Sequence, residues 1–84
     1  MTDTEIREAI KAYIADEILV GESLPVGDHD ELLIDGIIDS LGVTRVIGFI
    51  GREFGVPIPR EEATIENFRT VTILAEYVKR KLDA

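Results

Sequence analysis

Isoleucine recurs at every fourth position near the start of this chain, at Ile6, Ile10, Ile14 and Ile18, with Tyr13 beside them. Residues four apart stack on one side of an α-helix, so the spacing predicts a helix from about Asp3 to Leu19 with a single apolar stripe. Thr2 and Glu5 occupy the positions of a capping box at its start. Such a stripe needs a cover, and two further segments with a helical period supply one. The second helix is predicted from about Ser40 to Phe54, with Val43, Val46, Ile47, Ile50 and Phe54 on one face; Gly55, followed by Pro57 and Pro59, stops it. The last carries Val71, Leu74, Ala75, Val78 and Leu82 and ends in Lys79-Arg80-Lys81, where cations suit the negative end of the helix dipole. Ile65 and Phe68 predict one short helical turn after Arg60-Glu61-Glu62. The expected fold class is all-α: a small four-helix bundle, three main helices plus one short helix, with a long first loop, in a single domain spanning 1–84.

From Val20 to Asp39 the helical period disappears. Gly21, Pro25, Gly27 and Gly36 punctuate this connection, while Leu24, Leu32, Leu33, Ile34, Ile37 and Ile38 recur within it. A loop this long in a domain of 84 residues is either functional or packed on the core by its own apolar side chains. The interleaved leucines and isoleucines favour packing, with the connection crossing the bundle.

The same stretch carries the charge imbalance. No Lys or Arg lies between Ala12 and Thr44, whereas Asp16, Glu17, Glu22, Asp28, Asp30, Glu31, Asp35 and Asp39 contribute eight negative charges, and the net charge of the chain is −8. The remaining nine acids and nine bases cancel. An acidic loop repels nucleic acid and anionic lipid and attracts basic protein surfaces; the plainer reading is that it only aids solubility. With no cysteine, neither a disulfide framework nor a thiolate metal site is available. Met1-Thr2-Asp3-Thr4-Glu5 is polar and acidic, and no apolar run approaches the roughly 18 residues that span a bilayer. The expectation is a cytoplasmic monomer with no nucleic-acid or membrane partner. An apolar content of 45% suffices for one core and leaves no room for a deep catalytic cleft.

Ile38-Asp39-Ser40-Leu41 places one hydroxyl between the acidic loop and the second helix. No activating base is near it in sequence, so Ser40 reads as a site modified by another protein and not as a nucleophile of an enzyme. Asp39 and Ser40 are both good N-cap residues, and the first N–H groups of a helix favour an anion such as a phosphate ester on Ser40. The plain alternative is an ordinary helix cap. Asp28-His29-Asp30 begins like a calcium loop, but Leu32 and Leu33 break the pattern. His29 is the lone histidine, which disfavours a zinc site or a catalytic triad, so no metal and no catalytic residues are assigned.

Four co-linear landmarks carry a resemblance that covers nearly the whole chain: the acidic loop ahead of Asp39-Ser40-Leu41, the helix ending in Glu53-Phe54-Gly55, the stretch Val56-Pro57-Ile58-Pro59, and Ile65-Glu66-Asn67-Phe68-Arg69-Thr70-Val71. Together they resemble the acyl and peptidyl carrier protein family. The resemblance implies that Ser40 receives 4′-phosphopantetheine from coenzyme A through a phosphopantetheinyl transferase and then carries an acyl or aminoacyl group as a thioester. It implies a loading ligase and downstream synthase or transferase enzymes as partners. It also implies that Asp39 helps hold the transferase's magnesium ion, against the alternative that Asp39 only caps the helix, and that Leu41 meets partner enzymes.

Two departures narrow the branch. Gly42 follows Leu41 where fatty-acid carriers typically have an acidic residue, and Arg45 and Arg52 face out with Glu53 alone to oppose them, which leaves Asp28, Asp30, Glu31, Asp35 and Asp39 in the loop as the main attraction for basic partners. Peptidyl carriers typically have paired glycines ahead of the serine, whereas here Gly36 stands alone. The pattern is most similar to free-standing carriers of specialised polyketide, nonribosomal-peptide or amino-acid-charging pathways. The alternatives are a carrier of primary fatty acid synthesis and a non-catalytic acidic helical interaction domain in which Ser40 is only a cap. Gly48 and Gly51 each cost a helix about 0.8–1 kcal/mol relative to alanine. Thr44 and Gly48 therefore read as part of an exposed face with Leu41 that lets a partner approach closely, or else as tolerated solvent-facing positions.

Overall fold

The computed structural model describes residues 1–19 and 26–84. Helix α1 spans Asp3–Tyr13 and opens with the expected capping box: the Glu5 N–H donates to Thr2 Oγ1 (3.1 Å) and the Thr2 N–H donates to Glu5 Oε1 (2.8 Å). The bond from the Thr2 backbone, with that from its side chain, holds the Glu5 carboxyl below its ordinary range. The helix then changes its winding. Ile14–Ile18 form a π-helical turn closed by the Leu19 N–H on the Ile14 carbonyl (2.8 Å). A wider turn rotates the residues that follow it, so Ile6, Ile10 and Ile14 are fully buried while Ile18 is only half-buried.

Helix α2 spans Ser40–Phe54 and ends at Gly55, whose φ of 68° provides the left-handed C-cap that side chains resist. Val46 and Ile50 are buried at its centre. Tyr13 of α1 stacks on Phe49 of α2 with ring centroids 4.3 Å apart, which joins the two helices along one flank, and Phe54 meets Phe49 edge-on within α2.

The short element falls earlier than expected. Arg60–Glu62 form a 3₁₀ turn, and residues 65–68 form a turn instead of a helix. The Phe68 N–H reaches the Thr64 carbonyl (3.1 Å), the Asn67 N–H is taken by Thr64 Oγ1 (3.2 Å), and the Asn67 amide donates to the Glu62 carbonyl (2.8 Å). Thr70 is extended and caps the next helix through the Ile73 N–H, so the turn has no room to propagate. Phe68 enters the core at 1% exposure, while Ile65 stays 60% exposed.

Helix α3 spans Val71–Asp83 and buries Val71, Leu74, Ala75, Tyr77 and Val78. Leu82, expected on the same face, is exposed in the last turn. The Tyr77 hydroxyl donates to Glu62 Oε1, which also lies 3.2 Å from Lys81 Nζ, and this fastens the 3₁₀ turn to α3. Burial, reinforced by Glu62, pushes the Tyr77 phenol up to about 12.

α1 packs chiefly on α3, and α2 touches both. The long connection closes the bundle as its apolar content predicts: Val26, Leu32 and Ile38 are buried, and Leu33 and Ile37 are partly so. Leu24 and Glu22 lie outside the described residues. Among the described residues there is no strand, and no helix is long and apolar enough to cross a membrane.

Candidate functional site

Ser40 owes its position to two anchors in the connection. Leu32 is fully buried, and its N–H donates to the Arg69 carbonyl (2.9 Å) beside the start of α3. Six residues later the Ile38 N–H returns to the Leu32 carbonyl (2.9 Å), closing a small loop in which Gly36 takes φ of 73°. Ile38, 3% exposed, is thereby turned into the core, and the chain leaves it for the surface at Asp39 and Ser40.

The cap is Asp39. Its Oδ1 accepts the Gly42 N–H (2.8 Å), and its carbonyl accepts the Val43 N–H (2.9 Å). Ser40 is then the first residue of the helix, exposed, with no intramolecular hydrogen bond to its hydroxyl among the described residues. The N–H groups of Ser40 and Leu41 precede the first helical bond and carry the partial positive charge of the helix start.

Gly42 is the position that the sequence reading undervalued. It is buried, and a Cβ there would come within 3.0 Å of the Ile38 Cβ. The absence of a side chain lets Ile38 pack beneath the first turn. The hydrophobic-staple spacing of Ile38 and Val43 around the cap was the available signal.

Two hollows flank the motif. One, of about 370 Å³, is lined by Leu33, Ser40, Val43, Ala63, Thr64 and Ile65. The other, of about 260 Å³, lies across Asp39 and Leu41 and is bordered by Ile18, Ile37 and Arg45. Leu41, at the edge of this second hollow, is 69% exposed. Thr44 is exposed, with its hydroxyl turned back onto the Ser40 carbonyl (3.2 Å). Gly48, three and four residues beyond Arg45 and Thr44, is half-buried, and the Arg52 guanidinium lies over it: a Cβ on Gly48 would meet Arg52 Nη1 at 3.2 Å.

The loop acids do not act as one field. Asp28 Oδ1 lies 2.8 Å from Lys11 Nζ and its Oδ2 lies 3.7 Å from Arg7 Nε. The hydrogen bond from Lys11 holds Asp28 below the ordinary carboxylate range, and Asp28, with Glu8, raises Lys11. Asp30 accepts the Gly27 N–H (2.8 Å), and Glu31 Oε1 takes both Nε and Nη2 of Arg69 (3.0 and 2.9 Å), which raises the guanidinium. The expected attraction from all the loop carboxylates is thus reduced, because Asp28 and Glu31 are neutralised within the fold. Asp35 and Asp39 remain exposed in the connection ahead of Ser40, and Arg45 and Arg52 are exposed on α2.

No family model matches the chain. A protein named acyl carrier protein from Thermosynechococcus vestitus is 34% identical over 84 residues, covering the full length of both chains. Full-length similarity at this level, on an all-helical bundle with a long first connection, shows that the chain belongs to the acyl carrier protein family.

Proposed function

We propose that this chain is a discrete acyl or aminoacyl carrier, a single domain over 1–84, whose Ser40 is the attachment point for 4′-phosphopantetheine. One observation carries the reading: Asp39 caps α2, so the exposed Ser40 hydroxyl is committed to no structural role. The alternative of a helical interaction domain assigned that capping role to Ser40, and Asp39 occupies it instead.

The residues present fit the group. Ser40 Oγ would attack the phosphorus of the coenzyme A pyrophosphate nearest the pantetheine, forming one P–O bond as another breaks; adenosine bisphosphate departs and the hydroxyl proton passes to a base on the transferase. The Ser40 and Leu41 N–H groups at the helix start would favour the resulting anionic phosphodiester. When attached, the arm supplies a terminal thiol that holds an acyl group as a thioester and delivers it at high effective concentration. Ser40 then serves as a tether, and the bundle contributes positioning without catalysis of its own.

Leu41, next to the tether, and Asp35, in the loop ahead of it, present an apolar and an anionic contact to partner enzymes: the transferase, a loading ligase and downstream synthases or transferases. Thr44 continues that face along α2, and Gly48 follows it half-buried beneath the Arg52 guanidinium. Exposed Arg45 and Arg52 supply positive charge on the same helix, which supports service in a specialised pathway over primary fatty acid synthesis. The test is intact mass after incubation with coenzyme A and a broad-specificity phosphopantetheinyl transferase. The expected result is one added phosphopantetheine, lost completely in Ser40→Ala; an unchanged mass overturns the reading.

A further inference from the structure

Away from Ser40, the α1 flank of the bundle holds a hollow of about 310 Å³ with an aromatic wall and an acidic rim. Tyr13 and Phe49, stacked 4.3 Å apart and only partly buried, form the wall, and the small side chains of Ala9 and Ala12 leave the space beside them unfilled. The rim carries Asp16 and Glu17 from the π-helical turn and Glu53 from the end of α2, all three exposed. Asp28 and Glu31 are paired within the fold, but none of these three carboxylates has a salt-bridge partner among the described residues. Arg52, next to Glu53 in the chain, lies over Gly48 instead. Aromatic rings edged by carboxylates in this way suit a cation carried on an apolar stem.

Resting on the carrier reading for its purpose, we propose that this hollow is a second docking site, which takes an arginine-bearing segment of a partner protein and holds the carrier without covering Ser40. The geometry of rim and wall chooses the occupant. No three acidic or histidine side chains among the described residues are grouped closely enough to hold a metal ion, so the rim suits a spread charge better than a point one. A guanidinium is planar, stacks on aromatic faces and directs five donors outward, which lets it lie against Tyr13 or Phe49 and reach the rim carboxylates; a lysine ammonium offers only a compact charge. The methylene stem of the arginine covers Ala9 and Ala12. Position gives the purpose. Glu53 lies 13 residues beyond Ser40 in the same helix, about 20 Å along its axis. A partner held there leaves Ser40 and Leu41 open to the enzymes that load and unload the arm, and keeps a free-standing carrier near them at high effective concentration.

NMR titration of the full chain tests this, with a capped helical peptide bearing two arginines one turn apart as the probe, so that one guanidinium enters the hollow and the other meets the rim. The ring signals of Tyr13 and Phe49 and the carboxyl signals of Asp16, Glu17 and Glu53 should shift saturably, while those of Ser40 and Leu41 stay in place. The same peptide with citrulline for arginine should bind about tenfold more weakly. Glu53→Gln, at an exposed position, should weaken the arginine peptide severalfold, and so should Phe49→Leu once its amide spectrum shows a native fold. Equal binding of the citrulline peptide, shifts spread over acids elsewhere such as Asp30 and Asp35, or no saturable shift at Tyr13 and Phe49 would overturn the proposal. Free arginine amide binding as tightly as the peptide overturns it in favour of a small cation, and ring shifts that follow protein concentration alone overturn it in favour of a second copy. Arm attachment by the transferase, read by mass, should keep its rate in peptide-saturated protein; a slowed rate overturns the separation from Ser40. A chain that accepts no arm even without peptide exposes failure of the carrier reading separately.

Discussion

The two halves of the long connection use the same residue types to opposite ends. From 26 to 32, leucine and valine are buried, Asp28 pairs with Arg7 and Lys11, and Glu31 pairs with Arg69. The Asp28 carbonyl also accepts both the N–H and the hydroxyl of Thr72 (3.1 Å each). From 33 to 39, Ile34 and Asp35 are exposed and Ile38 alone is fully turned in, and Leu41 just beyond, in the first turn of α2, also faces water. The first half ties the connection to α1 and α3; the second presents Ser40 and its surroundings. Acidic composition therefore overstates the field available to partners, because part of it is consumed inside the fold.

The sharpest way to break this contrast is to truncate one aliphatic residue in each half. Leu32→Ala should cost about 2–5 kcal/mol, whereas Ile34→Ala should stay within about 0.5 kcal/mol, both read from urea unfolding midpoints. Similar costs at the two sites would mean that the halves are not distinct.

Asp39 sits at the border and separates presentation from stability. Asp39→Ala should lose about 1 kcal/mol with the cap, while Asp39→Asn should keep near-native stability, because asparagine caps as well as aspartate. If Asp39 also serves the transferase's magnesium through its charge, Asp39→Asn should slow arm attachment in a single-turnover mass assay. An unchanged rate leaves Asp39 with its capping role only.

The smallest effect is electrostatic and belongs to the anchored half. Asp28 titrates below its ordinary value of 3.8 because Lys11 bonds its charged form. A depressed carboxyl contributes stability above the unfolded value, and that contribution is lost as pH falls through the lower folded value. Stability should therefore decline below about pH 4 more steeply in the native chain than in Asp28→Asn. Thermal melts between neutral and acid pH check this. Added salt should shrink the difference, since the pair is partly exposed.

Much of the framework was legible beforehand. Helix α2 begins and ends where Asp39, Gly55 and the apolar period place it, and the capping box at Thr2 and Glu5 forms as written. These features are set by residues within a turn or two of each other. The π turn at Ile14–Ile18 and the 3₁₀ turn at Arg60–Glu62 were not legible, because each depends on how its neighbours are held. Ser40 stood out as a lone hydroxyl at a helix start, yet Asp39 and Ser40 were equal candidates for the cap. The extended backbone of Asp39, imposed by the burial of Ile38 against Gly42, chose between them.

The order of amino acids alone determined where helices form and which stripes are apolar, since each follows from spacing along one short stretch. Tertiary packing decided which carboxylates are neutralised and that Ile34, Ile65 and Ile73 share a hollow. Those outcomes depend on groups distant in the chain meeting in space, such as Glu31 with Arg69 and Asp28 with Lys11, and no local period encodes such meetings.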